Sequence, residues 1–212
     1  MRLRLRLASA ILSVALSSSG ILAQQSPSGT SSSKAKHSPE QRLKTTPTAS
    51  DEGTYRNLNF GFTYQVRYGW VDRTRQMQDE NNDPAKAQLL LAVFEHPPEV
   101  TGDSVNSAVI IAAESIAIYP GLRTAADYMG PLMELTTSKG FKVTNEPYEF
   151  HVGTKLLVRS DFVKAIGKLT MNQSSLVILR KNFAVSFTFI GSSEDEVNGL
   201  IESLSFPPQK SK

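Results

Sequence analysis

The 212-residue chain contains no cysteine, a single tryptophan and only three histidines. Without cysteine there is no disulfide, no thiolate metal ligand, no thiol nucleophile and no thiol to carry a lipid, so the core must hold the fold unaided. Long apolar runs are also missing. Near the start, four serines and a glycine fall between Ser13 and Gly20, which leaves too little continuous apolar length to span about 30 Å of hydrocarbon. Positive charge is scarce where it would matter. The formal +3 is equal to the three arginines Arg2, Arg4 and Arg6, so the remainder from residue 24 is neutral. Within that remainder the segment 24–53 carries +1, Lys210 and Lys212 carry +2, and the part between holds 14 basic and 17 acidic side chains, a net −3. Neutralising phosphates requires a clustered basic footprint, so nucleic acid is not the expected partner.

The motifs of common chemistries are absent as well. His37 lies in the N-terminal tail, and His96 and His151 are not at ligand spacing with another histidine; no HExxH occurs. Both are read as solvent-exposed residues, His96 at a strand end and His151 at a turn. Asp79, Asn81 and Asp83 occupy the first, third and fifth places of a calcium loop. Pro84 stands where that loop needs glycine, and Leu90 where it needs glutamate, so a solvated polar loop is expected instead. There is no GxSxG and no GxxxxGK[ST]; Gly167-Lys168 is followed by Leu169. Asn172-Gln173-Ser174 is formally a glycosylation sequon. No cofactor and no metal are expected, and the chain is read as a non-enzyme.

What is present begins with an export signal. Arg2, Arg4 and Arg6 make a basic start, Leu7–Leu16 a short apolar core, and Ala23 a small residue at a cleavage position. Residues 1–23 are therefore expected to be removed, leaving no stable membrane span, and the protein to be exported to the periplasm or medium. Residues 24–53 hold one large aliphatic residue, Leu43, and no aromatic. Such a segment cannot bury enough apolar surface to offset its ordering entropy and reads as a disordered, Ser/Pro-rich linker. One domain is expected over 54–208, with 209–212 as a tail.

The domain opens on Leu58–Trp70, "LNFGFTYQVRYGW", in which Leu58, Phe60, Phe62, Tyr64, Val66, Tyr68 and Trp70 alternate with small or polar residues. A period of two predicts a strand with one face in a core, as an antiparallel sheet shows when helices cover a single side. Phe60, Phe62, Tyr64 and Val66 are expected to be core. Further strands are expected at Leu89–His96 and over "AVIIAAESIAIYP", ending at Pro120. Thr124 and Asp127 fit a capping box and Gly140 a C-cap, which predicts a helix between them, kinked at Gly130-Pro131 or restarting at Pro131. Three or four antiparallel strands follow, with turns near Gly153, Gly167 and Arg180–Asn182. A closing helix is capped by Ser193 and Glu196 and carries Val197, Leu200, Ile201 and Leu204 on one stripe. The sum is an α+β domain, a twisted antiparallel sheet of about six strands with helices packed against it.

The aromatic first strand ending in Gly69-Trp70, the midchain helix "TAADYMGPLMELTTSKG", the hairpin-rich second half and the closing "EDEVNGLIESLSF" resemble the PsbP-like superfamily. That group includes the extrinsic PsbP protein of photosystem II, a Ran-binding nuclear transport factor and many bacterial exported proteins. The resemblance implies an antiparallel sheet with helices against it and supplies no catalytic residues. Its photosynthetic members dock on a large membrane complex with the help of an N-terminal arm.

Tyr68, Trp70 and Tyr119 are the candidate binding residues, because tyrosine and tryptophan carry polar tips that favour a wet boundary. The leading expectation is an exported interaction or accessory module whose partner is an envelope protein or complex. A small-ligand carrier using Tyr68, Trp70 and Tyr119 is a second expectation. A hydrolase built on Glu146, Glu149 and His151 is a third.

Overall fold

The computed structural model describes residues 53–78, 87–99 and 103–207. The expected signal and tail, almost all of the linker, His37 and most of the Asp79 loop lie outside them.

Each strand boundary has a local cause. β1 (Thr54–Asn57) and β2 (Phe62–Gln65) form a hairpin whose turn is closed by Gly61 N–H on Asn57 O at 2.8 Å and by Phe60 N–H on the Asn57 side chain at 2.9 Å. After β2 the chain turns at Gly69 (φ 82°) and re-enters as β3 (Val71–Asp72), α1 (Thr74–Gln78) and β4 (Ala87–Phe94). β5 (Ala108–Ser115) runs into a 3-10 turn at Ile116–Ile118. α2 (Ala125–Ser138) has the full reciprocal cap: Asp127 N–H donates to Thr124 Oγ1, and Thr124 N–H donates to Asp127 Oδ2. Pro131 lies inside it without ending it. Four strands follow: β6 (Lys142–Val152), β7 (Lys155–Ile166), β8 (Leu169–Arg180) and β9 (Phe183–Gly191). α3 (Glu194–Ile201) and β10 (Leu204–Ser205) close the described chain.

These ten strands form two sheets, not one of about six. A large antiparallel sheet has the order β3-β4-β5-β9-β8-β7-β6, and a small one β1-β2-β10. The difference arises because β1, β3 and β10 are only two to four residues long, too short to show a periodicity of their own.

The expectation that helices cover a single side is also corrected, because both faces of the large sheet are buried. On one face lie the small sheet and α3, joined in a core that contains Phe62, Tyr64, Phe187, Phe189, Val197, Leu200 and Leu204. Phe62 meets Phe187 edge-on with ring centres 5.1 Å apart. On the other face, α2 brings Tyr128, Met129 and Leu132 against Val177 and Ala184, and Met77 of α1 packs with Leu89, Ala92 and Ile110. Burial on both faces explains the nearly unbroken apolar composition of "AQLLLAVF" and "AVIIAAES".

The opening aromatic segment is thus not one strand. Phe60, Phe62 and Tyr64 are buried as expected and Val66 packs partly against the same core, but Leu58 is 88% exposed at the hairpin tip. The oily side faces a second sheet together with α3, so the contact is sheet on sheet. Each buried ring contributes roughly 1.5–3 kcal/mol.

Candidate functional site

Where β2 leaves the small sheet, Val66 N–H donates to Gly53 O and Trp70 N–H to Arg67 O at 3.3 Å, closing a tight turn over Arg67–Trp70. Trp70 is partly buried against the main core, and the Arg67 guanidinium stands 5.9 Å from its ring centre. The far end of Arg67 reaches α3 at Gly199, where an added Cβ would sit 3.2 Å from Nη2. Tyr68, between these anchored neighbours, is fully exposed. The turn therefore presents one aromatic ring outward from a backbone held on both sides.

Tyr119 does not join it. Trp70 precedes Val71, which pairs with Phe94, itself opposite Ala108 at the start of β5. Tyr119 follows the other end of β5, beneath α2 on the opposite face, 3% exposed. Its hydroxyl donates to buried Glu114, and its ring lies edge-on to Tyr128 at 5.6 Å. Burial first, then the Glu114 charge, push its phenol well above the usual range. Of the three candidate residues the fold brings Tyr68 and Trp70 together and leaves Tyr119 apart.

α3 is the other wall of the site. Ser193 Oγ accepts from Glu196 N–H, but Glu196 does not return the bond as a capping box would. Its carboxylate accepts instead from Ser192 N–H at 2.8 Å, Ser192 Oγ at 2.6 Å and Ser107 Oγ, tying the helix start to the residue that precedes β5. Partial burial raises its pKa, and these hydrogen bonds more than offset that, so the carboxyl sits below the usual range.

Two residues further along the helix, at Asn198, a polar network lies between α3 and the outer strands. Arg159 donates to Asp161 at 2.8 Å, to Ser174 Oγ at 3.1 Å and to Asn198 Oδ1 at 2.9 Å. Asp161 also accepts from Ser174 Oγ, from Asn145 at 3.0 Å and from Tyr148 Oη at 3.1 Å. The strand β6 supplies the last two because it bulges between Val143 and Tyr148, which turns both residues toward one carboxylate. The Arg159 guanidinium lies 4.9 Å from the Phe150 ring. Burial pulls Asp161 upward, and the hydrogen bonds and charge of Ser174 and Arg159 hold it lower on balance. Burial pushes the Tyr148 phenol up to about 12, so its proton stays in place. Every charge here is matched within the network, which suits positioning rather than proton transfer.

Glu146, Glu149 and His151 are all exposed on β6 and do not converge. His96 is exposed as expected, with its backbone bridged by Asn106. His151 stands in the strand, one residue before the turn-closing Val152. Asn172 lies within β8, its amide donating to Ser192 O at 3.1 Å; the sequon therefore sits in a sheet rather than a free loop. Among the described residues no group of three or more His, Cys, Asp or Glu side chains could hold a metal ion, and no helix is long and apolar enough to cross a membrane. Sequence reasoning missed the Arg159–Asp161 network; its only signal was an Arg-x-Asp pair on one face of an otherwise apolar strand.

No family model matches the sequence, and no curated protein does. Solved structures to which this chain shows some likeness include the Ran-binding protein Mog1p of Saccharomyces cerevisiae, 11% identical over 73% of this chain and 84% of its own, with a TM-score of 0.41. LpqN, involved in cell envelope biogenesis of Mycobacterium tuberculosis, is 12% identical over 69% of this chain and 83% of its own, with a TM-score of 0.39. A Pseudomonas aeruginosa protein of unknown function is 14% identical over 52% and 80%, with a TM-score of 0.37. No partner, activity or site residue carries across at such values.

Proposed function

We propose that the protein is an exported, non-enzymatic interaction module that engages an envelope protein or complex through the Arg67–Trp70 turn beside α3. The observation that carries this reading is Tyr68, a fully exposed ring on a turn held by Trp70 packing and by the backbone hydrogen bonds of Val66 to Gly53 and of Trp70 to Arg67. An aromatic side chain presented from a rigid backbone loses little entropy on binding, which is why tyrosine anchors so many interfaces. The buried polar groups of the adjacent network are matched to one another and hold α3 in place behind the turn. The basic N-terminal signal supports export, and the linker supports tethering.

The test is affinity capture from the native envelope with the exported protein, its Tyr68→Ala variant and a version starting at Thr54. Tyr68→Ala leaves the melting temperature unchanged, since the ring packs on nothing, and reduces recovery of the specific partner about tenfold or more. Equal recovery by the variant refutes the assignment of the turn. Loss of capture only on removing the linker would move recognition to the linker.

A further inference from the structure

The outer strand of the large sheet is β6, and among the described residues no strand pairs with its far edge. An open edge of this length exposes unpaired backbone groups and is ordinarily blunted. Over Lys142–Pro147 it is blunted, by register shifts between Val143 and Tyr148 and by a proline. From Tyr148 to Val152 the strand is regular, pairing residue for residue with Lys155–Arg159.

The direction of the free groups in that stretch follows from the turn. Val152 and Lys155 flank a two-residue loop, Gly153-Thr154, with Gly153 at φ 58°, so they form the hydrogen-bonded pair that closes the hairpin. Alternation then turns the N–H and C=O of Phe150 and Tyr148 inward and those of Glu149 and His151 outward. The next hairpin gives the same parity. Ile166 and Leu169 flank its loop, eight residues from the pair Val158–Val177; Val158 is thereby bonded toward β8 and not toward Glu149.

We infer that this five-residue edge is a self-association site, at which β6 of a second copy pairs antiparallel about a two-fold axis through Phe150. In that register Glu149 opposes His151 of the partner subunit, and His151 opposes the partner's Glu149. Both residues direct their backbone groups outward, so each pair exchanges its two backbone hydrogen bonds, while carboxylate meets imidazole on the face that carries α2. On the other face Phe150 lies against the partner's Phe150 and Tyr148 against the partner's Val152, in the closer spacing of a non-hydrogen-bonded pair. Glu149 and His151 are exposed, Tyr148 is 38% exposed and Phe150 is half-buried, which places these four at the surface, whereas Val152, the fifth residue of the edge, is buried and offers its backbone more than its side chain.

Other two-fold registers fail. An axis through Glu149 sets two carboxylates against each other and places His151 opposite a proline with no N–H to give. An axis through His151 opposes two imidazoles and leaves Glu149 against the turn glycine. A shift by one residue aligns outward groups with inward ones. The symmetric, self-complementary arrangement is the isologous interface that closes at two copies, and its small extent makes the dimer reversible.

Sedimentation velocity on the full chain over a concentration series tests this. The expected result is a monomer–dimer equilibrium. His151→Glu, which opposes two carboxylates, and Glu149→Arg, which removes the carboxylate that faces the imidazole, each weaken it about tenfold or more, and the double exchange restores it to within about threefold. His151→Pro removes an outward N–H that the hairpin does not use and abolishes the dimer with the fold intact by circular dichroism. A monomer throughout, up to about 1 mM, overturns the inference, as does a dimer that the single variants leave unchanged.

Discussion

Asp161 shows what a single buried charge does in this molecule. Its side chain is 12% exposed and its two oxygens are shared among Arg159, Ser174, Asn145 and Tyr148. Removing its charge leaves Arg159 buried and uncompensated, so Asp161→Asn costs about 3 kcal/mol at neutral pH, read as a shift in denaturant midpoint. The same group sets an acid limit. Asp161 and Glu196 both have folded pKa values below their unfolded ones, so their stabilisation is fully present above the ordinary carboxylate range, about 4. It is lost as pH falls through the lower, folded values. Urea midpoints of the native protein therefore fall between about pH 5 and 2, and Asp161→Asn flattens that slope. A slope unchanged by the substitution would mean that other carboxylates carry the acid sensitivity.

The same scale separates what single positions disclose. Alternation placed Phe62 and Tyr64 inside, because a strand repeats every second residue whatever its neighbours; Phe60 is buried too, from the hairpin turn. It extended the stripe to Leu58 and Tyr68, which the structure places in turns where that period no longer applies.

At the scale of elements, local chemistry and observed boundaries agree where the residues fix a backbone angle or an orphan N–H. Thr124 and Asp127 cap α2 from both sides. Lys181 and Asn182, at φ 48° and 66°, and Gly153 and Gly167 close the three hairpins at the turns expected for them. They diverge in α3. Its stripe of Val197, Leu200 and Ile201 is helical, but Leu204, in phase with it, belongs to β10 and pairs with Tyr64; the partner strand wins over the local period. Glu196 likewise turns from its own helix to Ser107. Gly199 tests the balance within this helix. A methyl group there improves helix propensity by about 1 kcal/mol, against a 3.2 Å approach by the flexible tip of Arg67. Gly199→Ala raises the melting temperature by a few degrees, because that tip can move; a fall would show that Arg67 is fixed in place.

At the scale of the whole molecule, two sheets share one core, and Phe62 is their joint. It is 1% exposed and touches Phe187, Tyr55 and Phe206. Phe62→Ala costs about 3–5 kcal/mol, and hydrogen exchange then rises first in β1, β2 and β10, whose sheet meets the large one through this ring together with Phe60 and Tyr64. Exchange that rises uniformly would indicate that the small sheet has no separate opening. By itself the sequence determined the strands that announce their own period, the helix caps, the hairpin turns and the lack of assembled metal or nucleophile motifs, since each depends on residues within a few positions of one another. Tertiary structure alone decided that β4 and β5 are covered on both faces, that Tyr119 lies apart from Trp70, that Asp161 gathers donors from β6, β7 and β8, and that β6 is the end strand of the large sheet among the described residues. Those are relations between residues far apart in the chain, fixed by which surfaces bury each other, and no local pattern encodes them.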